Sequence, residues 1–261
     1  MKLSLTAALL AAGLVAGTMT VAEAAALKIG VSAGPYGEIL DVAAKIAAKE
    51  GLEATVIEFT DWNMPNAALQ AGDIDANNFQ HQPFLDNQVK QRGYGIVSVA
   101  KSVVVPMGLY AKSLKNIADI REGGSVSIPN DPTNGARALA LLANVGLLSL
   151  KGDGGPGTTI ADITANPKKI KIVELDAAQL PRSLDDVDAS VITLNYAVLA
   201  GLDPKAALKL EDDQSKWHLV WAVRKDRQDD PAIRRFIEIY RSPEVRQFIL
   251  TRFNGSIIPT W

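Results

Sequence analysis

Apolar strand-like runs alternate with amphipathic helical segments along most of this chain. Residues 27–32 form a short apolar strand ended by Gly34-Pro35, and residues 36–50 place apolar side chains on one helical face. Further strands are predicted at residues 55–59, 96–105, 126–129, 171–175, 189–194 and 219–223, and further helices at 65–71, 82–92, 132–145 and after Pro231 and Pro243. This alternation predicts an α/β class with largely parallel sheets.

The first 24 residues are typical of a secretory signal peptide. Lys2 is followed by an apolar run of small residues and then by Ala22-Glu23-Ala24, an A-x-A cleavage site. A membrane-anchor helix is the alternative, but the run is rich in Ala, Gly and Thr and lacks basic flanks at its end. We predict cleavage after Ala24 and a periplasmic protein. Because the chain has no cysteine, it has no acceptor for a lipid anchor.

Charge and composition argue against several classes of partner. The net charge is −2 and no basic run occurs, which disfavours nucleic acids and anionic membrane surfaces. Two histidines and no cysteine leave few ligands for zinc, so neither a metal site nor a cofactor is predicted. A hydrolase needs a nucleophile with a nearby base, and only His81 and His218 are available as imidazole bases. Without the predicted signal peptide, the chain is long enough for one large domain or two lobes of about 100 residues each.

Residues 61–84 combine large rings with an acid, amides, an imidazole and prolines in one short segment. Trp62, Phe79 and Phe84 offer the apolar area that a pocket for a small organic molecule needs, and polar groups such as His81 set the ligand's orientation. The alternative is that His81 is a buried histidine bonded to a backbone carbonyl, and that Trp62 and Phe79 belong to the core.

A second motif lies at residues 127–137. Asp131 can cap a helix that Pro132 starts, and Arg137 lies three residues from Asn134 on the same helical face. A guanidinium beside amides is a good carboxylate receptor, because its fork matches two oxygens. Pairing of Arg137 with a surface acid such as Asp162 is the alternative. If Arg137 faces a cleft, its truncation should cost ligand affinity and change folding little.

Several longer strings resemble the NlpA/MetQ family, the methionine-binding substrate receptors of bacterial ABC importers. They are Gly72-Asp73-Ile74-Asp75-Ala76-Asn77, Phe79-Gln80-His81-Gln82-Pro83-Phe84-Leu85, Asn130-Asp131-Pro132-Thr133-Asn134, Asn166-Pro167, residues 180–186 and Phe253-Asn254-Gly255. The resemblance implies a two-lobed periplasmic binding protein whose lobes are joined by two crossing strands and close over one amino acid. Lobe I would comprise residues 25–106 and 224–261, and lobe II residues 107–223.

The resemblance also implies a site. Phe79 and His81 match the aromatic and imidazole of the family's pocket, and Arg137 matches its carboxylate-binding arginine. Trp62 and Phe84 stand where the family usually has tyrosines, while Thr193 and Leu219 stand where it has asparagines. The predicted ligand-binding residues are Trp62, Phe79, His81, Phe84, Asn134, Arg137, Asn195 and His218.

The function implied by the resemblance is that of an extracytoplasmic receptor, not an enzyme. It would bind methionine or a related amino acid as a monomer and deliver it to a membrane permease and its ATPase. A receptor for a different small carboxylate-bearing ligand is the alternative, and an envelope enzyme is a weaker one.

Overall fold

The computed structural model describes residues 26–211 and 217–261, so the predicted signal peptide lies outside the described residues. The first part of the chain forms β1 (Leu27–Ser32), α1 (Pro35–Lys49), β2 (Ala54–Phe59), α2 (Met64–Ala71), β3 (Ala76–His81), α3 (Gln82–Arg92) and β4 (Ile96–Val104). The middle forms β5 (Met107–Tyr110), β6 (Ser125–Pro129), α4 (Pro132–Asn144), β7 (Ser149–Leu150), β8 (Ile163–Ala165), β9 (Lys171–Leu175), α5 (Leu180–Ser183), β10 (Ala189–Thr193), α6 (Leu194–Leu199) and β11 (Lys209–Leu210). The last part forms β12 (His218–Arg224), α7 (Pro231–Tyr240), α8 (Pro243–Arg252) and β13 (Ile258–Pro259).

These elements build two α/β lobes, each around its own sheet, as predicted. The sheet of lobe I has the order β13-β4-β12-β3-β1-β2, and that of lobe II has the order β11-β5-β10-β6-β9. The sheets are mixed and not largely parallel: β1 is parallel to β2 and β3, but β12 is antiparallel to β3 and β4. The chain leaves lobe I through β4 and returns to it through β12. These two neighbouring strands are therefore antiparallel.

The described elements place two passages of the chain between the lobes. The first crossing is short, since β4 ends at Val104 in the first sheet and β5 begins at Met107 in the second. The second crossing lies between β11 and β12. The prediction that residues up to 223 belong to lobe II is wrong for β12, which pairs with β3 and β4 in the sheet of lobe I.

The sheet of lobe I separates two apolar clusters, and β12 shows how. Val220 and Ala222 pack in the cluster that includes Leu69 of α2 and Leu85 of α3. Trp221, one residue away on the opposite face, packs with the residues of α1, α7 and α8. Successive strand side chains point to opposite faces, so a strand covered on both sides reads as a continuous apolar run.

Helix starts follow the local sequence. The side chains of Asp131, Asp230 and Ser242 accept hydrogen bonds from backbone N–H groups in the first turns of α4, α7 and α8, each of which has a proline at its start. The predicted cap at Asp131 is confirmed, and so are the helices predicted after Pro231 and Pro243. Within the described residues, no helix is both long and apolar enough to cross a membrane.

Candidate ligand-binding cavity between the lobes

A cavity with about 330 Å³ of empty space lies between the lobes. Side chains of lobe I, of lobe II and of the first crossing segment line it: Tyr36, Trp62, Phe79, Gln80, His81, Phe84, Val105, Asn134, Arg137, Thr193, Asn195 and Leu219. Several of these residues lie where a strand ends and a helix begins, at the β3–α3 and β10–α6 junctions. In α/β folds this end of the sheet is the usual place for ligands.

An aromatic wall forms one side of the cavity. Phe84 stands edge-on to Phe79 and Trp62, with ring centroids 5.9 and 6.3 Å apart. Trp62 also contacts Tyr196 of α6 at 5.0 Å, although Trp62 follows β2 in lobe I. The hydroxyl of Tyr196 donates to the carbonyl of Thr60 at 2.9 Å. Through Trp62 and Tyr196, the rings of this wall connect the two lobes.

His81 joins the lobes through its imidazole. Its Nδ1 accepts a hydrogen bond from the backbone N–H of Phe84, which caps α3, so the ring proton lies on Nε2. Nε2 then donates to Oδ1 of Asn134 on α4, at 3.0 Å. Burial, and next the charge of Arg137, lowers the pKa of His81 to about 3. The imidazole is therefore neutral near pH 7.

The low pKa of His81 predicts a pH dependence of stability. Its folded pKa lies below the unfolded value of about 6.5, so the unfolded chain binds the extra proton and stability falls as the pH drops from about 6.5 towards 3. Between pH 7 and pH 5 the wild type should lose about 2 kcal/mol more of its free energy of unfolding than His81→Asn. Urea unfolding at the two pH values measures this. Asparagine keeps a helix cap without titrating, so equal losses in both proteins would contradict the assignment.

Asp131 holds Asn134 in place for His81. Its carboxylate accepts from the backbone N–H of Asn134 at 2.9 Å and from the Asn134 amide at 3.1 Å. The hydroxyl of Thr133 also donates to it, at 3.0 Å. Burial raises the pKa of Asp131, and these hydrogen bonds oppose that rise. Because the Asn134 amide nitrogen is bound to Asp131, its oxygen is left to accept from His81.

Arg137 is buried and ion-paired inside the protein. Its Nε donates to both carboxylate oxygens of Glu211 at 2.9 and 3.0 Å, and its Nη2 donates to Glu211 and, at 2.8 Å, to the carbonyl of Val105. Only 2% of its side chain is exposed. Because of this burial and ion pair, we expect truncation of Arg137 to affect folding, in contrast to the expectation from the sequence. Asp162 is not its partner, because that carboxylate binds Thr159.

The contacts of Arg137 with Glu211 and Val105 link it to both crossings between the lobes. Val105 lies in the first crossing, and Glu211 directly follows β11 at the start of the second. The Glu211 carboxylate also accepts from the backbone N–H of Met107, at 2.8 Å. The Arg137 guanidinium further lies 5.3 Å from the ring of Trp217. Among the described residues, no hydrogen bond reaches its Nη1, so this edge of the guanidinium can serve a ligand.

Two buried donors on the cavity's lining residues have no acceptor in the described part of the chain. They are the amide nitrogen of Asn195 and the indole nitrogen of Trp62. The amide oxygen of Asn195, by contrast, accepts from the hydroxyl of Thr193 at 3.0 Å. An unpaired buried donor costs about 1–3 kcal/mol, which makes both groups candidates for ligand contacts.

His218 is the predicted site residue that the structure does not bring to the cavity. It begins β12 and pairs with Val104 of β4, while Leu219, the next residue, lines the cavity. Side chains generally alternate along a strand, and here it is Leu219 that faces the cavity. Trp217, on the other side of His218, instead packs against the His81 ring with centroids 4.9 Å apart. The other seven predicted residues line the cavity.

Four residues of the site were missed by sequence reasoning. Tyr36, Gln80 and Val105 line the cavity, and Glu211 holds Arg137. Gln80 lies directly between Phe79 and His81, and its position could have been noticed. Glu211 and Val105 carry no local signal, since only the fold brings them to Arg137.

Residues 30–34 read Gly-Val-Ser-Ala-Gly, which has the G-x-S-x-G spacing of a hydrolase nucleophile and also lies at a strand-to-helix turn. Ser32 is buried, and its hydroxyl has no partner among the described residues. A nucleophile elbow is strained, but Ser32 is not one of the described residues with positive φ. Both ring nitrogens of His81 are already bonded, so this histidine is not available as its base. The described residues also contain no group of three or more metal-ligating side chains.

The family model described as NlpA lipoprotein matches residues 27–261. The chain belongs to this family. It is 43% identical over 239 residues to the D-methionine-binding lipoprotein MetQ of Salmonella typhimurium, covering 90% of this chain and 88% of that protein. It is 41% identical over 241 residues to outer membrane lipoprotein 3 of Mannheimia haemolytica, covering 92% of each. These NlpA-family relatives are named as lipoproteins, whereas this chain has no cysteine.

Solved structures of similar proteins share the fold. A nutrient-binding protein from Burkholderia cenocepacia, bound to methionine, superposes with a TM-score of 0.86 at 48% identity, covering 90% of this chain and 100% of that one. The methionine-binding protein MetQ superposes with a TM-score of 0.87 at 41% identity, covering 90% and 98%. The two-lobed architecture is thus the architecture of NlpA-family binding proteins.

Proposed function

We propose that this protein is the extracytoplasmic receptor of an ABC importer, and that it binds methionine or a close derivative between its lobes. The observation that carries the proposal is the cavity itself, in which rings and a buried guanidinium from different lobes face one small space. The relatives named for D-methionine and the similar structure bound to methionine support the same ligand class.

The residues that line the cavity divide into two groups with different roles. Trp62, Phe79 and Phe84 supply the apolar surface for a thioether side chain, and sulfur packs well against ring edges. Arg137 Nη1 and the Asn195 amide nitrogen supply charged and neutral donors for a carboxylate.

The cellular setting is part of the proposal. The protein would be cleaved after Ala24, released into the periplasm without a lipid anchor, and act there as a monomer. It would deliver its ligand to a membrane permease driven by an ATPase. The family membership supports the transport role, and the absence of cysteine from the chain supports the free form.

Calorimetric titration and thermal unfolding test the ligand class. The ligands to compare are both enantiomers of methionine, N-acetylmethionine, and the α-hydroxy and α-oxo analogues of methionine. At least one should bind and raise the melting temperature, because a ligand at about 100 times its Kd stabilises the native state by about 2.7 kcal/mol. Glutamate serves as the control ligand, since its charged side chain does not suit the aromatic wall. If no compound of the methionine series binds, the proposed function is wrong.

A further inference from the structure

Trp62 is the residue through which the cavity between the lobes approaches the surface. Among the described residues that line this inner cavity, Trp62 alone is partly exposed, and the others are buried. Trp62 lies in the short segment between β2 and α2. A route from solvent to the inner cavity that leaves the lobes together therefore passes its indole ring.

A second, outer cavity lies beside the inner one and has about 340 Å³ of empty space. Trp62 and Phe84 belong to the linings of both cavities, so their rings separate the two spaces. The outer lining also includes four exposed polar residues that do not line the inner cavity: Asp61, Asn63, Asn130 and Asp176. The outer cavity is thus open to solvent, and two rings lie between it and the inner cavity.

Of these two rings, that of Trp62 has the freer backbone. Phe84 lies in the first turn of α3, where Nδ1 of His81 accepts from its backbone N–H at 3.1 Å. Helix α2, which follows Trp62, is anchored to the inner lining, because the amides of Asn66 and Gln80 exchange hydrogen bonds of 2.7 and 2.8 Å. Movement is therefore confined to the turn at residues 60–63, between β2 and α2.

Two sets of hydrogen bonds hold this turn in place. Oδ1 of Asp61 accepts from the backbone N–H and the amide of Asn63, at 2.8 and 2.9 Å, which closes the chain around Trp62. From lobe II, the ring of Tyr196 contacts the indole at 5.0 Å, and its hydroxyl donates to the carbonyl of Thr60 at 2.9 Å. A surface turn held by so few bonds can open without unfolding of either lobe.

We propose, on the basis of the receptor function above, that Trp62 is a gate between the two cavities and that Asp61 and Tyr196 hold it shut. The ligand enters and leaves through the outer cavity when the turn at residues 60–63 moves, while the lobes stay together. The two sets of hydrogen bonds are present with the ligand inside or outside and are broken only during passage. They therefore slow entry and release alike and change affinity little.

A pair of Asp61 variants tests the gate within one lobe. Asp61→Ala removes the acceptor that closes the turn and should raise the association and dissociation rate constants together, by about 3- to 10-fold, with Kd within about twofold of wild type. Asp61→Asn loses the same charge but keeps an oxygen acceptor, so it should retain the wild-type rates. A residue that only contacts ligand changes mainly the dissociation rate, so faster association is the signature of the gate.

The rates are measured by stopped-flow tryptophan fluorescence, since these variants keep all four tryptophans of the chain. The probe is the compound of the methionine series with the lowest Kd in calorimetry. Thermal unfolding checks that each variant is folded. Unchanged rates in a folded Asp61→Ala variant overturn the gate and leave the receptor function standing, whereas a lack of binding by the whole series overturns the receptor function itself.

A second pair of variants separates the gate from opening of the lobes. Tyr196→Phe removes the hydrogen bond to Thr60 and should raise both rate constants about 3- to 10-fold. Val198→Ala, in the same helix, weakens packing of α6 against the apolar cluster of lobe I but lines neither cavity. Its rates should stay within about twofold of wild type. Equal acceleration in the two variants would show that exchange requires separation of the lobes, which overturns the gate.

Discussion

Arg137→Ala is expected to destabilise the fold by about 3–5 kcal/mol, because it leaves the carboxylate of Glu211 largely buried without its partner. Only 13% of the Glu211 side chain is exposed, and the carbonyl of Val105 loses a donor in the same change. Urea unfolding at pH 7 measures the loss as a lower midpoint at an unchanged slope. Arg137→Ala should also weaken ligand binding, so affinity must be measured where the variant is still folded.

Two further variants separate the ion pair from general packing. Arg137→Lys keeps the charge but not the fork, and its loss should be intermediate. Arg137→Met combined with Glu211→Leu removes both charges and should recover much of the stability, since apolar pairs of similar volume often replace buried ion pairs without loss. If Arg137→Ala unfolds within about 1 kcal/mol of wild type, the pair does not stabilise the junction of the lobes.

Trp62→Ala is expected to reduce affinity for the best-binding compound of the methionine series by roughly 30- to 1000-fold. The indole forms part of the cavity wall and also contacts Tyr196 across the two lobes, so the variant loses ligand contacts and an interlobe contact together. Stability should fall less than in Arg137→Ala, because Trp62 is only half-buried. Calorimetric titration gives the affinity, and thermal unfolding gives the stability.

Tyr196→Phe is the matched control for Trp62→Ala. It removes the hydrogen bond to the Thr60 carbonyl but retains the ring that contacts Trp62. Its affinity should fall by less than about tenfold, in line with one neutral hydrogen bond. If Trp62→Ala binds within about threefold of wild type, the aromatic wall does not determine affinity.

Local features of the structure could be predicted because their causes are local. The start of α4 depends on Asp131 and Pro132, which are neighbours in the chain, and the starts of α7 and α8 depend on similar pairs. Three residues that line the cavity, Phe79, His81 and Phe84, come from one short segment of β3 and α3. For such features, a short stretch of sequence contains the interacting side chains and also fixes most of their relative geometry.

Strand β3 shows where pattern reading fails. Its residues, Ala76–His81, include two asparagines and a glutamine and show no apolar alternation, yet all are buried. The amides of Asn77 and Gln80 bind Asn66 of α2 at 2.7–3.0 Å, so these two side chains are satisfied inside the core. The amide oxygen of Asn78 accepts from Ser102, while its nitrogen has no partner among the described residues. A buried polar strand is stable only when such partners are present, and its sequence alone does not show them.

The sequence by itself determined the α/β class, the family, most helix boundaries and seven of the eight predicted cavity residues. The tertiary structure alone decided to which lobe each strand belongs and that Leu219, rather than His218, lines the cavity. It also decided which carboxylate pairs with Arg137. Glu211 lies 74 residues from Arg137 along the chain, and the pairing of β11 with β5 places it next to Met107 and within reach of Arg137. Hydrophobic periodicity and helix capping depend on residues that are near in sequence. The partner of a buried charge, by contrast, depends on which residues the folded chain brings beside it.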